Sequence, residues 1–208
     1  MSFLKEIPPL HGRLVRLESL SAAHRADLAV AAEENRASYA FTEVPRATEV
    51  DAFLTAHSAR ADAGRMVPFA QIRQADGRAV GCTSYFDPRY WPGRADLCAV
   101  EIGWTWLAAS AQRTGINTEA KLLLLEHAFG VLGVARVDFK TDARNDRSRR
   151  ALTALGAKFE GVLRSWSPSR VPGEDGRLRD SAMFSVVAAE WAATRERLRR
   201  RLSSRGRG

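Results

Sequence analysis

Gln112-Arg113-Thr114-Gly115-Ile116-Asn117-Thr118 is the stretch in this 208-residue sequence whose residue types and spacing point most directly to chemistry. It lies between a strand-like run and an amphipathic helical run. The free backbone N–H groups at a helix start, with the helix dipole behind them, form a site for an anion. Gly115 lets the backbone approach a ligand closely. Asn117 and Thr118 add polar groups in the first turn. A phosphate-bearing ligand fits such a turn, although many turns of this kind bind nothing.

Competing chemistries find no support. The sequence has no G-x-x-x-x-G-K-[ST], no G-x-G-x-x-G and no G-x-S-x-G, which argues against a P-loop nucleotidase, a Rossmann dinucleotide site and a serine-elbow hydrolase. His11, His24, His57 and His127 are scattered without metal-ligand spacing, so no metal is expected. Cys82 and Cys98 sit in strand-like runs and read as small buried hydrophobes.

The elements that must position the turn follow from periodicity. Strands are predicted at 12–20, 66–74, 79–87, 97–107, 136–140, 158–166 and 180–187, seven in all. Helices are predicted at 22–35, 48–63 with Thr48 as cap, 116–132 stopped by Gly133, 146–155 capped by Asn145 and ended by Gly156, and 190–202. Asp76-Gly77 marks a hairpin turn. Asp87–Asp96 and Ser167–Leu178, rich in Pro and Gly, read as loops. The order β-α-α-β-β-β-α-β-α-β-β implies an α+β fold, a mixed sheet covered by helices. The 75–78 turn makes the middle strands antiparallel, and the crossover through the 116–132 helix makes its flanking strands parallel.

Composition bounds the setting. Hydrophobic residues are 45% and charged residues 27%, as in a soluble globular domain. No apolar run is long enough to span a membrane, and the first ten residues lack a signal peptide's pattern, so the cytoplasm is the expected compartment. The net charge is +8. Seven arginines against Glu196 in residues 195–208 give that segment +6, leaving +2 for the rest. The body is nearly neutral. The segment reads as a solvated, frayed end, or as a tail touching RNA, ribosomes or other acidic surfaces. The division expected is one domain over 1–191 and an Arg-rich helix or tail over 192–208.

The run Glu101-Ile102-Gly103-Trp104, then Trp106-Leu107, then Gln112-x-x-Gly115-x-Asn117-Thr118-Glu119-Ala120, resembles the acetyl-coenzyme A motif of the GCN5-related N-acetyltransferases. Asn117 departs from the Gly or Ala usual at that place. The form is similar to the RimJ/RimL-like branch, which includes acetyltransferases of ribosomal-protein N-termini. Asn145-x-x-Ser148, Leu155-Gly156-Ala157, Gly161-Val162-Leu163-Arg164 and Asp175-Gly176-Arg177-x-Arg179-Asp180 extend the resemblance.

The resemblance implies a fourth and fifth strand that splay apart, and acetyl-coenzyme A as co-substrate. Its pantetheine arm would lie along Trp104, Thr105, Trp106 and Leu107. Its pyrophosphate would sit on Gln112, Arg113, Thr114, Gly115, Ile116, Asn117 and Thr118, with Asn145 and Ser148 contacting the coenzyme from the far side. The second substrate would be an amine: a protein N-terminus first, a small amine, an amino acid or an aminoglycoside otherwise. It would bind between the 22–63 segment and the 167–178 loop, where Tyr39 and Phe41 are candidates. A homodimer is a further implication.

Glu101 is the candidate base, since it alternates with Gly103 and Thr105 and can face a cleft; a structural carboxylate bonded to a neighbouring strand is the alternative. Leu152 stands where many members carry a catalytic Tyr. Ser148 is the nearest replacement acid, with helix capping as its alternative role. Trp104 and Trp106 share a strand face on strict alternation, which favours core packing for at least one. The contrasting function is a catalytically silent acyl-coenzyme A sensor docked to RNA or ribosomes by its basic end.

Overall fold

The structure, a computed structural model, describes residues 7–93 and 96–204. Eight strands form one sheet: β1 (Leu10–His11), β2 (Val15–Ser19), β3 (Met66–Arg73), β4 (Ala79–Tyr90), β5 (Leu97–Leu107), β6 (Arg136–Asp142), β7 (Lys158–Pro168) and β8 (Leu178–Val187). The order across the sheet is β1-β2-β3-β4-β5-β6-β8-β7. All neighbours are antiparallel except β5 and β6. The mixed α+β sheet expected from the sequence is therefore present, with one strand more than the seven predicted. The extra strand is the two-residue β1, too short to carry an alternation of its own.

Five helices accompany the sheet: α1 (Arg25–Glu33), α2 (Val50–Asp62), α3 (Ile116–Gly130), α4 (Asp146–Leu155) and α5 (Trp191–Ser204). Helices α1 and α2 pack on β4 and β3, while α3 crosses from β2 to β6. The two faces are told apart at β5, where Trp104 meets His57 of α2 and the next residue, Thr105, meets Lys121 of α3.

Several boundaries differ from the sequence reading. Thr48 is not a cap. It sits inside a single 3-10 turn, Ala47–Glu49, whose Glu49 carboxylate accepts from the Arg46 amide at 2.8 Å before α2 begins. The loop predicted at Asp87–Asp96 begins as strand through Tyr90, because Arg89 and Tyr90 pair with Ala99 and Leu97 despite Pro88. Likewise β7 and β8 extend into the predicted 167–178 loop, Ser167 pairing with Arg179 and Pro168 with Leu178. Cross-strand partners decide both cases, and they are invisible to a local window. Helix α3 ends at Gly130 rather than at Leu132. Cys82 is buried as expected, but Cys98 is only half-buried.

The Arg-rich end is not frayed where it is described. Leu198 is fully buried, Arg199 pairs with Glu126 of α3 at 2.7 Å, and the Arg197 guanidinium donates to the Ala154 carbonyl of α4. Burying one leucine stabilises by about 1.5–3 kcal/mol, enough to dock an amphipathic helix whose other face carries the arginines. Residues 205–208 of that segment lie outside the described residues. Among those described, no helix is long and apolar enough to cross a membrane.

Candidate active site

Strands β5 and β6 pair only at Ala99, Val100 and Glu101, opposite Arg136, Val137 and Asp138. Beyond Glu101 the strands diverge, as the resemblance implied. The backbone of β5 past that point has no sheet partner on its β6 side. A cleft of about 570 Å³ fills the opening and runs from the start of α3 to Glu101.

At one end lies the α3 turn. Gly115 caps the helix at φ 102°, a left-handed conformation that costs a side-chain-bearing residue 1 kcal/mol or more, roughly. Arg113 shares the left-handed region at φ 65°. The Gln112 side chain ties the turn down, donating to the Leu107 carbonyl at 2.9 Å and to the Ser38 hydroxyl at 3.0 Å. Thr114 turns its hydroxyl to the Ala111 carbonyl at 2.7 Å, and Ile116 is buried in the core. Thr114 and Ile116 therefore shape the turn without lining the cleft. Gln112, Arg113, Gly115, Asn117 and Thr118 do line it. The first-turn amides of α3 have no acceptor within the helix, and the Asn117 Oδ1 is buried without a hydrogen-bond partner. The amides suit a pyrophosphate, whereas the Asn117 Oδ1, an acceptor, suits a ligand N–H or O–H.

The opposite wall is α4. Asn145 is its cap: the side-chain oxygen accepts from the Ser148 amide at 3.0 Å, and Gly156 ends the helix at φ 113°. Both roles were legible in the sequence. Asn145, Ser148 and Leu152 all face the cleft, and Arg147 reaches across to Gln112 at 3.3 Å. Ser148's amide serves the cap, and the residue lines the cleft.

Along β5, alternation breaks at Trp104. Its φ is 50°, and the register with β4 slips between Cys82 and Ser84. Such a bulge re-aims the residues that follow it. Trp104 and Trp106 both meet the side of the sheet that carries α1 and α2, Trp104 at His57 and Trp106 at Tyr39, but only Trp106 is core. Trp106 is 4% exposed and meets the Tyr39 ring edge-on. Trp104 is half-buried between the guanidiniums of Arg60 and Arg170, 5.0 and 5.7 Å from its ring centre. Thr105 also leaves Glu101's face, because its hydroxyl meets Thr83 at 2.9 Å and Lys121 at 2.7 Å. Trp104, Thr105, Trp106 and Leu107 nonetheless all contribute to the cleft lining.

Glu101 sits where the strands part. It is 2% exposed and pairs with Lys140 of β6 at 2.7 Å. Burial pushes its carboxyl up to about 7 against the pull of the Lys140 ammonium. Lys140 also lies 5.0 Å over the Trp166 ring. The bond to a neighbouring strand and the cleft position thus coexist in one residue.

Sequence reasoning missed Lys140 and Lys121. Lys121 is buried, held by Thr83 at 3.0 Å and by Thr105, and burial pulls its ammonium down to about 7. A signal existed: Lys121 stands four residues after Asn117, on the helix face turned inward. Tyr39, Phe41, Ser167 and Arg170 also line the cleft. Across the whole lining seven Lys and Arg residues face two carboxylates, Glu43 and Glu101, which favours anionic ligands. Among the described residues no group of three or more His, Cys, Asp or Glu could hold a metal ion.

A mixed sheet opened between two parallel strands, with a helix start and a buried carboxylate at the two ends of the opening, is an arrangement suited to an acyltransferase that takes its acyl group from coenzyme A. An acetyltransferase (GNAT) domain model matches residues 14–158. The chain belongs to that family. Similar solved structures include a GCN5-related N-acetyltransferase from Brucella melitensis, with 30% identity, 94% of this chain and 86% of that chain covered, and TM-score 0.79. A candidate acetyltransferase from T. thermophilus is 37% identical over 95% of this chain and 98% of its own, with TM-score 0.77. Mycobacterium smegmatis RimJ in complex with CoA-disulfide shares the fold at 24% identity, 95% and 94% coverage, and TM-score 0.73. No curated protein matches the chain.

Proposed function

We propose that this chain transfers the acetyl group of acetyl-coenzyme A to a primary amine, with Glu101 as the base. The observation that carries this is the continuous cleft from the α3 turn to a buried carboxyl poised near 7. A base is most effective when its pKa lies near the working pH. The donor half fits the coenzyme by its chemistry: helix amides with no acceptor inside the helix and the cationic Arg113 and Arg147 for phosphates, and open β5 backbone for an amide-bearing arm.

The chemistry is direct. A neutral amine attacks the thioester carbonyl carbon, the C–N bond forms and the C–S bond breaks. Glu101 takes the amine's proton. Ser148, the cleft hydroxyl nearest the α4 start, supplies a proton to the departing thiolate in place of the Tyr that Leu152 replaces. A protein N-terminal amine is the first choice of acceptor, on the resemblance to the RimJ/RimL-like branch; RimJ shares this fold.

Glu101→Gln tests the reading. Turnover should fall by about 100-fold or more, while acetyl-coenzyme A binding, measured by titration calorimetry, stays intact. Undiminished turnover in this variant would remove Glu101 as base. The sensor reading is less favoured, because α5 commits Leu198 and two of its arginines, Arg197 and Arg199, to the body of the protein.

A further inference from the structure

The charged groups in and just behind the far end of the cleft are nearly all bonded. Glu101 takes Lys140 at 2.7 Å. Glu43 takes Arg170 at 3.0 Å. Asp142 accepts from the Arg144 guanidinium at 3.0 and 2.8 Å. Asp180 accepts the Ser165 amide at 2.8 Å. Arg179 makes no contact ion pair among the described residues, and Asp142 and Glu101 attract it only from a distance. Its Nε donates to the Ser167 hydroxyl at 3.0 Å, and its two terminal nitrogens have no hydrogen-bond partner among the described residues.

Arg179 is placed there by the fold. It stands at the start of β8, directly across from Ser167 of β7. The β7–β8 register slips between Leu163 and Ser167, and Ser165 is left-handed at φ 46°. This bulge brings Trp166 and Ser167 into the cleft beside Arg179. Arg179 is half-buried, and burial pulls its guanidinium below the ordinary arginine range, with Asp142 opposing that pull and Arg170 adding to it. Each missing hydrogen bond on a partly desolvated guanidinium is a standing cost that a bound carboxylate would relieve in bidentate fashion.

We infer that Arg179 is a specificity-determining residue that receives an acidic group carried by the acceptor, a few bonds from its reacting amine. This rests on the transferase reading and narrows it. The acceptor is an amine bearing a carboxylate: a protein N-terminus with an acidic residue close behind it, or a free amino acid. A polycationic aminoglycoside is disfavoured, since it would bring further positive charge against Arg179, Arg170 and Lys140.

The test uses the full chain, acetyl-coenzyme A and matched acceptor pairs. One arm compares a peptide with glutamate at its second position against its glutamine twin. The other compares an amino acid with its carboxamide. In at least one arm the acid should be preferred by about tenfold or more in kcat/KM, and the arm that responds identifies the source of the charge. Arg179→Gln should collapse that preference toward unity through acceptor KM, and Arg179→Lys should restore part of it, with acetyl-coenzyme A affinity unchanged in both. An equal preference for acid and amide in the wild type, or a preference that survives Arg179→Gln, overturns the inference while leaving acetyl transfer standing. Bound acetyl-coenzyme A with no acetylation of any member of either pair overturns the transferase reading as well.

Discussion

The two halves of the cleft are built by different means. The donor half is made from neighbours in sequence: Gln112 to Thr118 form one turn, and Asn145 to Ser148 form one cap. The acceptor half is made from residues far apart in sequence, Trp104, Lys140, Trp166 and Arg170 among them, brought together by two bulges with left-handed residues at Trp104 and Ser165. Chemistry that depends on a backbone turn can be written locally. Selectivity for an acceptor is assembled across the sheet.

This difference decides what could be read beforehand. The start of α3, the whole of α4 with its Asn145 cap, the strand Leu97–Leu107 and the parallel crossover were legible, because each rests on a local rule of capping, periodicity or handedness. Glu101 was found because alternation holds up to it. Alternation then fails at Trp104, so the sequence pattern put Thr105 on the face of Glu101, whereas it meets Lys121 of α3. Nothing in a local window marks the bulge, since Trp104 is not a glycine. Lys140 was missed because a lone Lys in a strand is ordinarily solvated. The Arg-rich end was read from its charge, yet Leu198, one buried residue among arginines, is what docks it.

The same difference can be broken or sharpened by substitution. The largest effect is expected at Gly115→Val, which forces a β-branched residue to φ 102° at the anion turn. The KM for acetyl-coenzyme A should rise by about 100-fold, roughly the loss of the phosphate contacts that each contribute 1.5–3 kcal/mol, with acceptor KM little changed. Comparable changes in both constants would mean that the halves are not separable. Trp104→Ala comes next. It removes an aromatic wall from the acceptor end and should lower kcat/KM for the acceptor by about tenfold, on the scale of one lost aromatic contact, while acetyl-coenzyme A affinity measured by calorimetry is retained.

A pH series sharpens the role of the junction between the halves. The Glu101 carboxyl must be ionised to accept a proton, so kcat/KM should climb as pH rises through about 7 and then level off. Glu101→Gln should remove that climb. The sign on stability is opposite. A carboxyl raised from 4.5 to about 7 stabilises the fold fully below 4.5 and loses that contribution as pH rises through about 7. Denaturant midpoints of wild type and Glu101→Gln should therefore diverge across that window, the wild type weakening as pH increases. Parallel midpoints would mean that the carboxyl is not held neutral by burial.

The smallest effect is expected at the cap of α4. Asn145→Ala should cost about 1 kcal/mol of stability, read from chemical denaturation, and loosen the wall that Ser148 and Leu152 present to the cleft. A stability unchanged by this substitution would separate Asn145 from its capping role.

The most direct measurement is release of free thiol on incubation of the purified chain with acetyl-coenzyme A and a panel of primary amines, with mass spectrometry of the acceptor. The account predicts one free coenzyme A for each acetyl group found on an amine, abolished in Glu101→Gln. Tight binding of acetyl-coenzyme A with no thiol released above the acceptor-free rate on any amine would contradict it.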